Sequence, residues 1–378
     1  MQIYLVGGAV RDGLLGLPVS ERDYLVVGAD AAQLLALGFR RLDPDFPVFR
    51  HPETGDEYAL ARRERKVGPG YKGFVVEVGP DVTLEQDLAR RDLTINALAQ
   101  DPDGHIIDPF HGRDDLQAGL LRHITPAFRE DPLRLLRIAR FAARLGRWGF
   151  QVAPETFDLL RAMAAQDELT SLIPQRLREE LFKALAAEQP WRFFETLQDC
   201  GALRRLLPSL AVVVEEPPDQ GAALTTPMAT LRRATAQSPS VSVRFAALIG
   251  AALADPSVGA HVCQGLGIER NAADLLTWIQ TWPASRVAQA TPETLLGLVE
   301  GRRLLHHPEW LDPLAQVWTA LDLQVGARAA TRLATALQAS AGVRAEGLRG
   351  QGLAGPALGA ELRRQRMRAI QEAIGITV

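Results

Sequence analysis

Cysteine is scarce in this 378-residue chain: Cys200 and Cys263 are the two. They lie far apart and match no metal-ligand spacing, so a reducing cytoplasm is the expected setting. Lysine is scarcer than the charge content would suggest. Lys66, Lys72 and Lys183 are the three, and arginine supplies every other cation; we read this as a composition bias. No apolar run approaches the roughly 20 residues that cross a bilayer. Met1–Val6 is apolar, but Gly7-Gly8 and Arg11-Asp12 follow at once, which is not a signal-peptide pattern. No membrane role is expected. There is no basic excess either, since the net charge is −3. That does not exclude nucleic acid as a partner, because phosphate contacts need only a local basic face. No segment repeats at a fixed period.

What is present is an ordinary globular composition, 47% hydrophobic and 23% charged, long enough for two or three domains. The first 110 or so residues mix strand and helix signals. Gln2–Val6, Asp23–Val27, 57–62 and Phe74–Val78 read as strands, and 7–15 as a helix. The stretch 63–73, RERKVGPGYKG, has charge, glycine and proline without an apolar period and predicts a mobile loop. From about Pro132 onward Leu, Ala and Arg recur at helical spacing, and everything to the C-terminus reads as helix. EEPPDQ at 215–220 suggests a linker.

Two neighbouring segments carry chemistry. In ERDYLVV, Glu21 and Asp23 stand two apart where a strand begins, so their side chains point to one face. Side-by-side carboxylates resist ionising together. A divalent cation relieves that conflict, and Mg²⁺ favours one or two carboxylates plus phosphate oxygens. Upstream, LVGGAVRD places Gly7-Gly8 between a strand and a helix, where backbone can approach an anion and a helix N-terminus attracts it. Arg11 follows one turn into that helix. A lone Glu-x-Asp is more often a solvated acidic patch; the glycine turn and Arg11 upstream favour a triphosphate site.

The segment 128–150, FREDPLRLLRIARFAARLGRWGF, opens a helix with Asp131 as N-cap and Pro132 at its first position. Arg134, Arg137, Arg140, Arg144 and Arg147 then form one stripe. A stripe with so few local acidic partners would repel itself unless polyphosphate or an RNA backbone lay along it; the alternative is a solvated helix face. Asp131 accepts hydrogen bonds and Arg134 donates them. Facing a Watson–Crick edge, such a pair would take the amino group and bare ring nitrogen of cytosine or adenine. Uracil and guanine present the reverse pattern. A capping contact or simple ion pair is the alternative.

Together LVGGAVRD (5–12), RDYLV (22–26), RRDLTINA (90–97), DPFHG (108–112) and EDPLRLLRIARFAAR (130–144) resemble the class II tRNA nucleotidyltransferases, the bacterial CCA-adding enzymes, whose head is shared with bacterial poly(A) polymerases. The resemblance implies an α+β nucleotidyltransferase head, a five-stranded mixed sheet with helices, followed by an all-α neck, body and tail. The expected bounds are 1–130 for the head, 131–214 for the neck and 215–378 for body and tail. It implies Mg²⁺ on Glu21 and Asp23, the catalytic pair, and ATP or CTP contacts from Gly8, Arg11, Arg91, Arg137 and Arg140. Asp131 and Arg134 would select the base, and Asp92 and Asn96 would lie near the ribose. The loop 63–73 is similar to the family's loop linked to switching from C to A addition. The partners implied are tRNA, ATP and CTP; a monomer is compatible with the pattern.

Two departures from the family stand out. Glu21 replaces the usual first aspartate. In the body, VRFAALIGAALAD (243–255) has Gly250-Ala251 where a metal-binding His-Asp pair of an HD phosphohydrolase module would stand, and His-Asp occurs nowhere in the chain. Phosphatase and phosphodiesterase activity is therefore expected to be absent. Within the same chemistry the alternatives are an A-adding enzyme or a poly(A) polymerase; outside it, an RNA-binding protein with a decayed active site. The basic stretch GAELRRQRMRAI (359–370) reads as a helix suited to an RNA backbone or to solvent.

Overall fold

The structure is a computed structural model that describes residues 1–19, 21–43, 46–68, 73–215, 226–251, 256–349 and 353–375. The chain divides into two compact units, Met1–Leu206 and Leu207–Val378.

The first unit begins with strand β1 (Gln2–Val6), helix α1 (Gly8–Leu14) and strand β2 (Asp23–Val27), as the apolar patterning predicts. Helix α2 (Ala31–Ala36) follows, opened by a capping box between Asp30 and Gln33. Strands β3 (Arg40–Arg41), β4 (Val48–Arg50), β5 (Glu57–Leu60), β6 (Arg62–Lys66) and β7 (Phe74–Val78) lead to helix α3 (Leu84–Ala89), capped by Thr83 and Gln86. Strands β8 (Ala99–Gln100) and β9 (Ile106–Ile107), helix α4 (Gly112–Ala118) and strand β10 (Leu120–Leu121) complete the α+β part.

Among the described residues the main sheet is mixed and has seven strands in the order β3-β4-β5-β2-β1-β8-β9. Five were expected; three of the seven, β3, β8 and β9, are two residues long and too short to show a period of two. Only β2 and β5 run parallel within it, and this pairing sets Asp23 opposite Glu57. Their neighbours Tyr24 and Tyr58 stack with ring centroids 4.6 Å apart. Alternation along β2 buries both faces: Leu25 packs with Val6, Leu88 and Ala97, while Val26 packs with Leu34, Phe49 and Leu60.

The expectation of a loop over 63–73 is corrected. Residues up to Lys66 belong to β6, which pairs antiparallel with β7 in a separate ribbon. The reading failed because Arg62–Lys66 is charged throughout, so no apolar alternation marks it. Residues 69–72 of that stretch lie outside the described residues.

Helix α5 (Leu133–Leu145) follows, with Leu135, Leu136, Ile138 and Phe141 among its buried side chains. Then come β11 (Gln151–Val152), α6 (Pro154–Ala164), α7 (Pro174–Ala186), α8 (Trp191–Asp199) and α9 (Leu203–Leu206). Strand β11 pairs parallel with β10, a small exception to the all-helical expectation after Pro132. Helix α5 packs against α7 and α8.

The second unit is helical throughout its described residues. Glu215 ends the helix Pro208–Glu215, and 216–220 of the expected linker lie outside the described residues. Trp318 is fully buried, its indole N–H donating to the Trp282 carbonyl at 3.1 Å. In the helix Val241–Gly250, Val243, Phe245, Leu248 and Ile249 are all buried. A Cβ on Gly250 would meet Ile279 Cδ1 at 2.7 Å and Leu321 Cδ1 at 3.4 Å. That position is packed by hydrocarbon. The expected basic helix is Gly355–Ala373, and Arg363, Arg364 and Arg368 pair with Glu300, Glu361 and Glu372. No helix among the described residues is long and apolar enough to cross a membrane.

Candidate active site

Asp23 is the first residue of β2 and Glu21 lies two residues before it, outside any helix or strand. Both line a cleft of about 480 Å³ whose other walls are Val19, Arg22, Gly55, Asp56 and Glu57. The sequence reading brought Glu21 and Asp23 together and missed Asp56 and Glu57. Glu57 was legible as the start of a strand. Its place opposite Asp23 depends on a parallel register between strands that start 34 residues apart in the chain, and no local signal reports that. Partial burial raises the pKa of Asp23, the Glu57 charge adds to the rise, Arg91 opposes it and Glu21 reinforces it.

Between β1 and α1 the backbone turns at Gly7, which has φ 70° and ψ −128°, a conformation side chains disfavour. A Cβ there would lie 2.9 Å from Arg91 Nη1, so a side chain at this position would also push the end of Arg91 aside. Arg91 Nη2 donates to Asp87 Oδ2 at 3.2 Å, while its Nε is buried with no hydrogen-bond partner among the described residues. Burial lowers the Arg91 pKa and the Asp87 charge opposes that shift. An arginine placed beside a carboxylate cleft with one N–H unanswered suits an incoming anion.

Arg11 is 2% exposed. It donates from Nε to Asp12 Oδ1 at 2.8 Å and from Nη1 to Asn96 Oδ1 at 2.5 Å, and lies over the Phe141 ring. Asn96 in turn donates to Asp92 Oδ1 at 2.9 Å, and Asp92 Oδ2 accepts from Arg137 Nε at 2.7 Å. Asp12 Oδ2 accepts from Arg144 at 2.7 Å. One polar chain, Arg137–Asp92–Asn96–Arg11–Asp12–Arg144, therefore closes onto α5 at both ends. Burial disfavours an ionised Asp92, but the Arg137 charge and bonds from Asn96, Arg137 and the Leu93 N–H outweigh it and hold the carboxyl well below the usual range.

The arginine stripe is thus supplied with partners that sequence spacing did not show. Arg137 and Arg144 meet Asp92 and Asp12, Arg140 donates from Nε to Glu180 Oε2 at 2.5 Å, and Arg147 pairs with Glu188. The stripe therefore needs no bound polyanion to balance its charge, because acidic residues 40 to 132 positions away fold against it.

Asp131 Oδ1 accepts from the Leu133 N–H at 3.0 Å, and Arg134 Nη2 donates to the Arg90 carbonyl at 2.6 Å. Neither belongs to the walls of the carboxylate cleft; nor do Gly8, Arg11, Arg91, Arg137 or Arg140. The link runs through residues 90–92: Arg90 holds Arg134, Arg91 acts on Asp23, and Asp92 holds Arg137.

Among the described residues, the group of three side chains whose ligand atoms lie close enough together to hold a metal is Asp101, Asp103 and His105 in the β8–β9 turn, not the carboxylates of the cleft. Asp101 already serves that turn, its Oδ1 accepting from the backbone N–H of Asp103 at 3.0 Å and of His105 at 2.8 Å.

Comparison with known proteins adds the following. Residues 3–122 match the family model described as Poly A polymerase head domain, and residues 149–213 match the one described as Probable RNA and SrmB-binding site of polymerase A. The Multifunctional CCA protein of Thioalkalivibrio sulfidiphilus is 48% identical over 337 residues, covering 83% of this chain and 82% of its own. That of Nitrosococcus oceani is 43% identical, with 99% of each chain covered. Among solved structures, the Bacillus stearothermophilus CCA-adding enzyme in complex with CTP superposes with a TM-score of 0.67 at 23% identity, covering 98% of this chain and 89% of its own. A tRNA nucleotidyltransferase complexed with a primer tRNA and an incoming ATP analog gives 0.64 at 23% identity, covering 88% and 94%. At these identities the superpositions speak for the fold.

Proposed function

The chain belongs to the multifunctional CCA protein family, and from that membership we propose that it adds and repairs the 3′-terminal CCA of tRNA, using CTP and ATP without a nucleic-acid template and releasing pyrophosphate. The observation that carries the catalytic part is the cleft that gathers Glu21 and Asp23 with Glu57 next to Arg91. Its donor set suits Mg²⁺: Asp23 is held above the ordinary carboxylate range first by burial and then by the Glu57 charge, and a hard divalent cation among these oxygens would favour the ionised form. Bound by Glu21 and Asp23, Mg²⁺ would supply charge neutralisation for the triphosphate and activation of the attacking hydroxyl.

The chain's own groups do the rest. Gly8 lies at the start of α1 and offers backbone to the phosphates, and Arg91 offers the positive charge of its guanidinium beside Asp23. Arg11 holds Asn96, and through it Asp92, in place for the ribose. Arg137 and Arg140 bind their carboxylates through Nε, so the terminal nitrogens are not used in those bonds and serve the nucleotide. Asp131 accepts the amino group of cytosine or adenine, and Arg134 donates to the bare ring nitrogen. Uracil and guanine would each leave polar groups unpaired, at about 1–3 kcal/mol. Attack of the tRNA 3′-hydroxyl on the α-phosphate follows, with rate coming mostly from positioning and charge neutralisation.

We read residues 1–130 as the head, 131–214 as the neck and 215–378 as body and tail, with the RNA lying along the helical part. The free thiols of Cys200 and Cys263 suit a cytoplasmic setting. Gly250 is surrounded by the hydrocarbon of Ile279 and Leu321 and supplies no metal ligand where the histidine of an HD site would stand, so metal-dependent phosphodiesterase activity is not expected. The test is incubation with Mg²⁺, each labelled nucleotide in turn, and tRNAs ending before CCA, after C and after CC. Two additions of C and one of A support the proposal. Addition of A alone, or long A tails, selects an A-adding enzyme or poly(A) polymerase, and no addition selects a decayed RNA-binding protein.

A further inference from the structure

Three guanidiniums meet at one aromatic ring. Phe141 stands on α5 four residues after Arg137, so helical spacing makes the two neighbours, and Arg140 directly precedes it. Arg11 joins them from α1. The guanidinium carbons of Arg140, Arg11 and Arg137 lie 4.3, 5.3 and 5.9 Å from the centroid of the Phe141 ring. Phe141 is 4% exposed, so these contacts are made where little water competes with them.

Each of the three also meets a carboxylate, and each does so through Nε: Arg11 with Asp12, Arg137 with Asp92 and Arg140 with Glu180. A bond at Nε fixes one corner of a planar guanidinium and leaves its tilt open. An aromatic ring supplies the missing restraint, because its negative face attracts a cation and planar groups stack on it. The ring carries no net charge. A further carboxylate in its place would hold the arginines equally well, but it would cancel positive charge that a triphosphate needs. Phe141 thus gathers three like charges without neutralising them.

We infer that Phe141 is a positioning residue for nucleotide binding, its ring holding Arg11, Arg137 and Arg140 in the arrangement that receives the incoming triphosphate. The inference rests on the nucleotide contacts proposed for Arg137 and Arg140. It is tested in the full-length protein by replacing Phe141 with mono-, di- and trifluorinated phenylalanine. Fluorine withdraws electron density from the ring and weakens its negative face while nearly keeping its shape. Kd for ATP and for CTP is read by calorimetric titration, and Tm alongside it. Both Kd values should rise in step with the number of fluorines, by roughly three- to tenfold for the trifluorinated ring. Phe141→Leu, apolar but without a ring, should weaken both nucleotides at least as much; should it fail to fold, the fluorinated rings decide alone. Kd values that stay within about twofold across the series, whatever Tm does, mean that the ring merely fills space, and the inference is overturned. A rise for one nucleotide alone overturns it as well, since a triphosphate cradle serves both. Arg140→Met tests the reading beneath: an unchanged Kd there refutes the proposed nucleotide contact itself.

Discussion

Removing the Asp92 carboxylate tests whether the polar chain between the sheet and α5 holds the first unit together. Asp92 is 6% exposed and accepts three hydrogen bonds, from the Leu93 N–H, Asn96 Nδ2 and Arg137 Nε. Asp92→Ala deletes all three acceptors and leaves Asn96 and Arg137 without their partner. Breaking one side of a fully buried ion pair costs about 3–5 kcal/mol. The Arg137 side chain is 36% exposed, so water takes over part of its hydrogen bonding. We therefore expect about 3 kcal/mol for Asp92→Ala, which for a unit of this size lowers Tm by roughly 6–12 °C. The assay is calorimetry of wild type, Asp92→Ala, Arg137→Met and the double variant. The cycle should give a coupling of about 1–3 kcal/mol. Because folding lowers the Asp92 pKa, its contribution is fully present above the ordinary value and fades as pH falls through the folded-state pKa. Wild type should accordingly lose stability below about pH 4 more steeply than Asp92→Ala. A Tm change under about 2 °C, or a coupling indistinguishable from zero, would refute the reasoning.

Two further outcomes are expected. Gly7→Ala forces a Cβ to within 2.9 Å of Arg91 Nη1 in a backbone conformation that disfavours it. It should destabilise by about 1–3 kcal/mol and lower turnover, read by thermal melting and single-nucleotide addition. Glu57→Gln removes a charge beside Asp23 while keeping the shape of the cleft. It should lower turnover at least tenfold and raise the Mg²⁺ concentration giving half-maximal rate, with Tm little changed; a metal titration of the rate checks it.

Much of the architecture could be read from local patterning. Gln2–Val6, Asp23–Val27 and Phe74–Val78 are apolar or alternating, and each forms the strand their composition predicts. The helical part follows from leucine and alanine at helical spacing with turn residues between. What was not legible depended on partners distant in the chain. Asp92 and Arg137 are 45 positions apart, and Asp12 and Arg144 are 132. No window of sequence reports such pairs, so the stripe looked unbalanced when it is paired. The charged strand Arg62–Lys66 has no alternation because its contacts are ionic. The presence of Glu57 and Asp56 in the cleft follows from the β2–β5 register. Arg91 was legible through the RRDLTINA resemblance alone; its unanswered Nε and its approach to Gly7 belong to the folded chain.

The proposed division of labour gives nucleotidyl transfer to two carboxylates and the choice of base to Asp131 and Arg134. It is tested most directly by giving the purified protein Mg²⁺, all four nucleoside triphosphates together and a tRNA that lacks its last three residues, then sequencing the 3′ ends. The prediction is termini that read CCA and stop, with uridine and guanosine rare. Unextended ends, or ends in which uridine and guanosine enter as readily as cytidine and adenosine, would contradict it.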